Sequence, residues 1–172
     1  MIYNELKKVK CVVLDVDGVL TNGNILVTDK GEQLRTFNVK DGYAMQYAVK
    51  RGLKVIIITG ARSQGVAIRC QGLGASEVHL GISDKLTLLK EILEREQLDA
   101  SQVMFIGDDM PDYACMKYVG VAVCPADAIE DIKAICQFVS KNKGGQGVVR
   151  EMIEKTLRLQ ENWHVDVLTT SV

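Results

Sequence analysis

The chain contains few of the residues that bind zinc. It has two histidines, His79 and His164, and no CxxC pair among its cysteines. This scarcity argues against a zinc site. The cysteines are odd in number and have mostly apolar neighbours, which predicts that they are buried, reduced thiols: Cys11, Cys70, Cys115, Cys124 and Cys136. Reduced thiols are typical of a reducing compartment, so we expect the protein in the cytoplasm.

Long hydrophobic segments and a strong net charge are also missing. No apolar run approaches the roughly 20 residues that cross a bilayer, and the N-terminal MIYNELKKVK lacks the apolar stretch of a signal peptide. Lys and Arg total 21 against 22 Asp and Glu, a net charge of -1, which predicts neither nucleic acid nor a membrane as a partner. The ordinary globular composition and the length of 172 residues predict a single domain, residues 1–172.

Continuous apolar runs alternate with segments of helical spacing along most of the chain. The runs, at residues 11–14, 54–59, 103–107 and 119–123, are typical of strands buried on both faces of a parallel sheet. Helices are predicted over residues 42–52, 64–74, 83–97, 127–135 and 148–160, with Asp41, Ser83 and an Asp127/Glu130 capping box at three N-termini. This alternation predicts an α/β fold with a doubly wound, Rossmann-like parallel sheet and helices on both faces.

Three segments depart from this alternation. Residues 23–37 read as two short strands around Asp29-Lys30-Gly31, which predicts a β-hairpin flap after the first strand. Residues 141–147, KNKGGQG, resemble a flexible loop before the last helix. The tail, residues 161–172 with the single Trp163, shows no clear period and is predicted either to dock on a neighbouring subunit or to be disordered.

Polar residues follow the apolar runs where the carboxyl ends of parallel strands meet. Ligands bind at this edge of an open α/β sheet, so we expect one crevice to contain Asp15, Asp17, Thr59, Gly60, Lys85, Asp108, Asp109 and Asp112. Taken singly, each has a structural alternative: DxD as an Asx-turn or cap, Thr59 as a cap, and the acids around Pro111 as a first helical turn. A lysine at a helix N-terminus opposes the helix dipole, so Lys85 is better explained by a bound anion.

Together these residues indicate phosphate chemistry. Clustered carboxylates repel one another unless a divalent cation lies among them, and all-oxygen ligands favour Mg²⁺. With Mg²⁺, Lys85 and Thr59 holding phosphate oxygens, an aspartate can attack phosphorus and form an acyl-phosphate. The second carboxylate of the DxD pair can serve as general acid and base.

The order DVDGVLT, ITG, a helix-initial Lys and GDDMPD resembles the four motifs of the haloacid dehalogenase superfamily of phosphatases, over about residues 11–149. The resemblance implies that Asp15 is the nucleophile and a Mg²⁺ ligand. It implies that Asp17 is the general acid/base and a ligand through its backbone carbonyl, and that Asp108 is the third protein ligand. Thr59 and Lys85 would hold the phosphate, and Asp109 and Asp112 would be supporting acids.

Narrower features, FNVKDGYAM, the hairpin and GGQGVVRE, are similar to the 3-deoxy-D-manno-octulosonate 8-phosphate phosphatases of lipopolysaccharide sugar synthesis. That family implies no separate cap domain and a homotetramer in which a neighbouring subunit closes the site. It also implies a substrate pocket that includes Asp17 and Lys85 together with Asn38, Val39, Lys40, Asp41, Gly42, Gly60, Arg62 and Arg69. Without the resemblance, residues 38–42 read as a helix-entry turn capped by Asp41.

The chain departs from the family pattern at two positions. Ala61 stands where many members have Arg directly after ITG, with Arg62 one residue later, and Gln46 replaces a further pocket Arg of some members. A phosphatase for a nine-carbon ulosonate 9-phosphate is therefore an open alternative. So is a catalytically silent oligomerisation module related to sugar nucleotide synthetase domains, although that class is expected to lose some of the acids. A signalling receiver domain has its acid pair after the first strand and its phosphorylated Asp after a central strand. In this chain the DxD motif follows the first strand and the adjacent pair Asp108-Asp109 comes late, so the order of the acids differs from that of a receiver domain.

Overall fold

The computed structural model describes residues 2–164. Its strands are β1 Cys11–Leu14, β2 Leu26–Val27, β3 Gln33–Leu34, β4 Lys54–Ile58, β5 Glu77–His79, β6 Val103–Ile106, β7 Val121–Cys124 and β8 Phe138–Val139. Its α-helices are α1 Tyr3–Leu6, α2 Val39–Lys50, α3 Gln64–Gly72, α4 Lys85–Arg95, α5 Tyr113–Tyr118, α6 Glu130–Ile135 and α7 Val148–Leu159. Short 3-10 turns lie at Ala100–Gln102 and Met110–Asp112.

Six strands form one parallel sheet in the order β5-β4-β1-β6-β7-β8. All residues of β1, β6 and β7 are buried, because helices cover both faces. Val12 and Leu14 of β1 belong to the core beneath α2, α3 and α7, and the alternate residues Cys11 and Val13 belong to the core beneath α4, α5 and α6. The predicted doubly wound α/β fold is confirmed.

Two helices begin at residues other than those predicted. The N-cap of α2 is Asn38, whose side chain accepts a hydrogen bond from the backbone N–H of Lys40; Asp41 lies inside the helix. The N-cap of α4 is Asp84 rather than Ser83, since its carboxylate accepts from both the backbone N–H and the hydroxyl of Thr87. The predicted N-cap was therefore wrong by three residues for α2 and by one residue for α4.

The predicted capping box at α6 is also wrong. The helix begins at Glu130 with no side-chain cap, and the Asp127 carboxylate accepts instead from the backbone N–H of Gly144. Strands β5 and β8, at the two edges of the sheet, have three and two residues and were not predicted, because such short edge strands carry no continuous apolar run.

The predicted hairpin is confirmed as the antiparallel pair β2 and β3, with Leu26 opposite Leu34. Its turn is closed by a hydrogen bond from the Thr28 N–H to the Glu32 carbonyl. An apolar surface of the hairpin is exposed to solvent and comprises Ile25, Leu26, Val27 and Leu34. We call these four residues the hairpin patch.

The loop at residues 141–147 packs closely on the turn after β1. A Cβ on Gly144 would lie 1.9 Å from the Gly18 carbonyl oxygen, so only glycine allows this approach. The glycine that makes this segment look flexible in sequence is therefore required for close packing against the turn after β1.

The start of the tail docks on the chain itself. The Trp163 ring lies 4.5 Å from the Tyr47 ring and 4.6 Å from the Arg150 guanidinium carbon. The rest of the predicted tail, residues 165–172, lies outside the described residues.

All five cysteines are free thiols, four of them buried, as predicted, and Cys136 is partly exposed. Within the described part of the chain, no helix is both long and apolar enough to cross a bilayer.

Candidate active site

The chain reverses its direction of sheet growth at β1. After β1 it adds β4 and β5 on one side, and it then crosses to add β6, β7 and β8 on the other. Side chains that follow β1, β4 and β6 therefore converge at the switch point. The cleft there has a volume of about 360 Å³ and is lined by Asp15, Asp17, Thr59, Gly60, Ala61, Ile82, Ser83, Lys85, Asp109, Pro111 and Asp112.

Lys85 is the central cation of this cleft. Its Nζ donates to Asp15 Oδ1 and to Asp112 Oδ1, both at 2.7 Å, and all three residues are buried. Burial lowers the pKa of Lys85, but the charges and hydrogen bonds of the two carboxylates outweigh burial and raise it above its usual value. The side chain therefore stays charged at neutral pH, although it is the first residue of α4 and opposes the helix dipole.

Three carboxylates compete for this one cation. Oxygen atoms of Asp15, Asp108 and Asp112 all lie within 4.8 Å of one another. Burial, followed by the charge of Asp112, raises the pKa of Asp15 to about 6. Burial, followed by the charges of Asp15, Asp112 and Asp109, raises the pKa of Asp108 to about 8.

The excess negative charge fits a divalent cation. Hard carboxylate oxygens are the ligands that Mg²⁺ prefers, and the described side chains of this cleft include neither imidazole nor thiolate. The cluster contains Asp15 and Asp108 of the predicted ligand set, together with Asp112. The Asp112 carboxylate, however, also accepts from Lys85 and, at 3.1 Å, from the backbone N–H of Asp108, which is consistent with the predicted supporting role.

Gly18 allows the turn after β1 to approach Asp108. Its φ is +85°, and a Cβ there would lie 1.9 Å from Asp108 Oδ2. Both the left-handed backbone and the missing side chain are therefore needed to bring the first and fourth motifs together.

The Asp17 carboxylate is paired with an arginine of the hairpin segment. Arg35 binds it with two parallel hydrogen bonds, from Nε to Oδ1 at 2.6 Å and from Nη2 to Oδ2 at 2.9 Å. Sequence reasoning missed Arg35, because it lies in no motif and its contact with a residue 18 positions away depends on how the hairpin folds back.

Thr59 and Asp109 complete the lining of the cleft. Thr59 is buried, and its hydroxyl oxygen accepts from the backbone N–H of Ala61 at 3.1 Å, so the hydroxyl proton is available to a ligand. Asp109 Oδ1 accepts from the Met110 N–H at 2.7 Å, at the start of the 3-10 turn that contains Pro111.

Several predicted pocket residues lie apart from this cleft. Among the described residues, its lining does not include Arg62, Arg69 or residues 38–42. Arg69 lies against Gly42, where a Cβ would approach its Nη2 to 2.9 Å, and Arg62 lies against Gly81. Val39 is 74 % exposed and Lys40 is exposed.

Asn38 and Asp41 bind the chain itself. Asn38 Nδ2 donates to the Gly145 carbonyl at 3.1 Å. The buried Asp41 carboxylate accepts from the backbone N–H groups of Gly147 and Arg150, at 3.1 and 2.7 Å. Burial raises the pKa of Asp41 in spite of these bonds. The substrate roles of residues 38–42 stay predictions.

Comparisons with known proteins identify the class of protein to which this fold and this cleft belong. A family profile described as haloacid dehalogenase-like hydrolase matches residues 73–152. The 3-deoxy-D-manno-octulosonate 8-phosphate phosphatase KdsC of Escherichia coli (strain K12) is 36% identical over 154 residues, which cover 90% of this chain and 82% of that protein. The Yersinia pestis protein of the same name is 37% identical over 153 residues, 89% of this chain and 82% of the relative.

Solved structures agree with the sequence matches. The Yersinia pestis phosphatase superposes with a TM-score of 0.91 at 35% identity, covering 94% of this chain and 87% of that one. The Moraxella catarrhalis phosphatase, solved with magnesium, phosphate and 3-deoxy-D-manno-octulosonate (KDO), has a TM-score of 0.91 at 34% identity, covering 94% and 92%. The chain belongs to the 3-deoxy-D-manno-octulosonate 8-phosphate phosphatase family of haloacid dehalogenase-like hydrolases.

Proposed function

We propose that this phosphatase releases inorganic phosphate from 3-deoxy-D-manno-octulosonate 8-phosphate, with Mg²⁺ as cofactor and an aspartyl-phosphate on Asp15 as intermediate. The observation that carries the proposal is the buried arrangement in which Lys85 joins Asp15 to Asp112 beside Asp108. An anionic nucleophile can approach a phosphate dianion only where neighbouring groups neutralise its charge. The names of the relatives supply the substrate.

Asp15 and Asp108, with the backbone carbonyl of Asp17, would hold the ion. When bound, Mg²⁺ neutralises phosphoryl oxygens and stabilises the charge that develops on them. The Lys85 ammonium and the Thr59 hydroxyl donate to other phosphoryl oxygens. These groups keep the phosphorus in reach of Asp15 and aligned for in-line attack.

In the first step, an Asp15 oxygen forms a bond to phosphorus while the bond from phosphorus to the sugar oxygen breaks. Asp17 donates its proton to that sugar oxygen, so the leaving group departs as an alcohol. In the second step, Asp17 takes a proton from a water molecule, whose oxygen attacks phosphorus. The bond from phosphorus to Asp15 breaks, and both the free carboxylate and inorganic phosphate result.

The described cleft is open and small, and we infer that other copies of the chain close it in a homotetramer. The hairpin patch supports this proposal, since its members Leu26 and Val27 are 67 % and 62 % exposed and an exposed apolar hairpin is suited to burial between subunits. Closure would keep water from the acyl-phosphate until the alcohol has left. The absence of disulfides among the described cysteines supports action in the cytoplasm.

A phosphate-release screen tests the function. The purified chain, with Mg²⁺ and again with excess EDTA, is offered the eight-carbon ulosonate 8-phosphate, a nine-carbon ulosonate 9-phosphate and simple hexose phosphates. We expect the highest kcat/KM for the eight-carbon substrate and loss of turnover with EDTA that added Mg²⁺ restores. Preference for the nine-carbon substrate would replace the substrate assignment, and no release from any compound would refute phosphatase function. Sedimentation of the same sample as an active monomer would refute the tetramer.

A further inference from the structure

The hairpin brings a second cation, after Lys85, to the site. Arg35, just after β3, forms a bidentate pair with Asp17, and its Nη1 also donates to the Gln33 carbonyl at 3.2 Å. Three of its five N–H groups are therefore used, and the guanidinium plane is held from two sides. Such paired, charge-assisted bonds fix direction as well as distance.

We propose that Arg35 is a positioning residue that orients the Asp17 carboxyl group for proton transfer to and from the reacting oxygens. The inference rests on the proposed function, because it assumes that Asp17 is the general acid/base. A carboxylate has about four lone-pair sites, and a bidentate guanidinium occupies two of them. The remaining sites stay available to the leaving oxygen or to water.

The position of Asp17 explains why such a partner is needed. Asp15 is buried and held by Lys85, whereas Asp17 is only partly buried. Among the described contacts of its carboxylate, both hydrogen bonds come from Arg35. A proton donor that rotates freely spends little time in the productive geometry, so a fixed orientation raises the rate of proton transfer.

A lysine cannot replace this contact. Its ammonium is a point charge on a flexible stem, whereas the planar guanidinium fork matches both oxygens of a carboxylate. The Arg35 and Asp17 side chains are 3 % and 31 % exposed, so we expect removal of Arg35 to lower stability as well as activity. Urea unfolding of Arg35→Ala therefore sets the conditions under which the variant is folded, and the substrates are compared under those conditions.

The experiment compares two substrates that differ in their need for an acid. The alkoxide of the sugar phosphate is a poor leaving group and requires a proton, whereas p-nitrophenolate leaves without one. Because kcat/KM includes the step in which the leaving group departs, Arg35→Ala should lower it about tenfold for the sugar phosphate. This loss is smaller than the 10²–10⁴-fold that a general acid contributes, because Asp17 itself is still present. The kcat/KM of Arg35→Ala for p-nitrophenyl phosphate should change less than about twofold, since hydrolysis of this ester needs no acid.

Three further variants isolate the mechanism. Arg35→Lys should retain most of the defect, because it restores the charge without the fork. In an Asp17→Asn background, Arg35→Ala should cause no additional loss, because residues that act as a unit are not additive. Lys30→Ala removes a positive charge from the exposed turn of the same hairpin and should behave as wild type.

The outcomes separate this inference from the proposed function. A wild-type chain that releases no phosphate overturns both. With an active wild type, the inference alone is overturned if Arg35→Ala is silent, if it reduces both substrates equally, or if it causes the same loss in the Asp17→Asn background. The last result would mean that Arg35 binds the sugar directly.

Discussion

Removal of the Asp41 carboxylate should destabilise the fold rather than weaken substrate binding. Asp41 belongs to α2 but accepts hydrogen bonds from two backbone N–H groups at the start of α7, those of Gly147 and Arg150. Helix α7 has no N-cap side chain of its own, and its N-cap is Gly147 with φ of +105°. Asp41 therefore caps a helix more than 100 positions away, with Arg150 in the N3 position that a local cap would serve.

The magnitude follows from these two bonds. Loss of an N-cap costs about 0.5–2 kcal/mol, and an unsatisfied buried donor about 1–3 kcal/mol. Gly147 and Arg150 are only partly buried, so water partly replaces the lost acceptor. We expect Asp41→Ala to lower the free energy of unfolding by about 2–3 kcal/mol, or a Tm decrease of roughly 5–10 °C for a chain of this size.

Urea unfolding followed by fluorescence measures this change. The single tryptophan, Trp163, lies 4.6 Å from the Arg150 guanidinium carbon and so reports on the docking of α7. Protein concentration must be constant, because an oligomer is stabilised by mass action. The control is Glu94→Ala, which removes an exposed carboxylate from α4 and should change stability by less than about 0.5 kcal/mol.

The capping account would be refuted if Asp41→Ala had the same free energy of unfolding as the Glu94→Ala control. If the variant instead unfolded normally and its KM rose several-fold, the predicted pocket role would be supported in place of capping.

Three further predictions concern the site and the thiols. Asp15→Asn should reduce phosphate release at least about a thousandfold while circular dichroism stays that of the wild type, and normal turnover would exclude Asp15 as the nucleophile. Gly18→Ala should cost activity and several kcal/mol of stability, of the order seen for strained backbone and overpacking together, because its Cβ would fall 1.9 Å from Asp108 Oδ2; a crystal structure with Asp108 in place would contradict this reasoning. Ellman's reagent at pH 8 should modify at most two of the five thiols in the folded chain and all of them in denaturant, because burial raises the pKa to about 12, 11 and 12 in Cys11, Cys70 and Cys115.

The central sheet could be predicted because its signal is local. Strand β1, CVVL, is apolar at every position, and such a run is stable only where both faces are covered. The caps were harder to predict. Asp41 and Asp127 have the side chains that favour an N-cap, yet each binds backbone N–H groups far away in sequence, and no local pattern separates the two uses.

The same distinction explains which parts of the site could be predicted. Asp15, Thr59 and Asp108 each follow a central strand, so the parallel topology alone brings them together at the switch point. Lys85 was identified because it opposes a helix dipole, which is unfavourable without a nearby anion. Arg35 carries no such conflict: an arginine next to a hairpin strand is ordinary in sequence, and its contact exists only because the hairpin folds back over the turn after β1. Residues fixed by topology can thus be inferred from one sequence, whereas residues recruited by an inserted hairpin require coordinates.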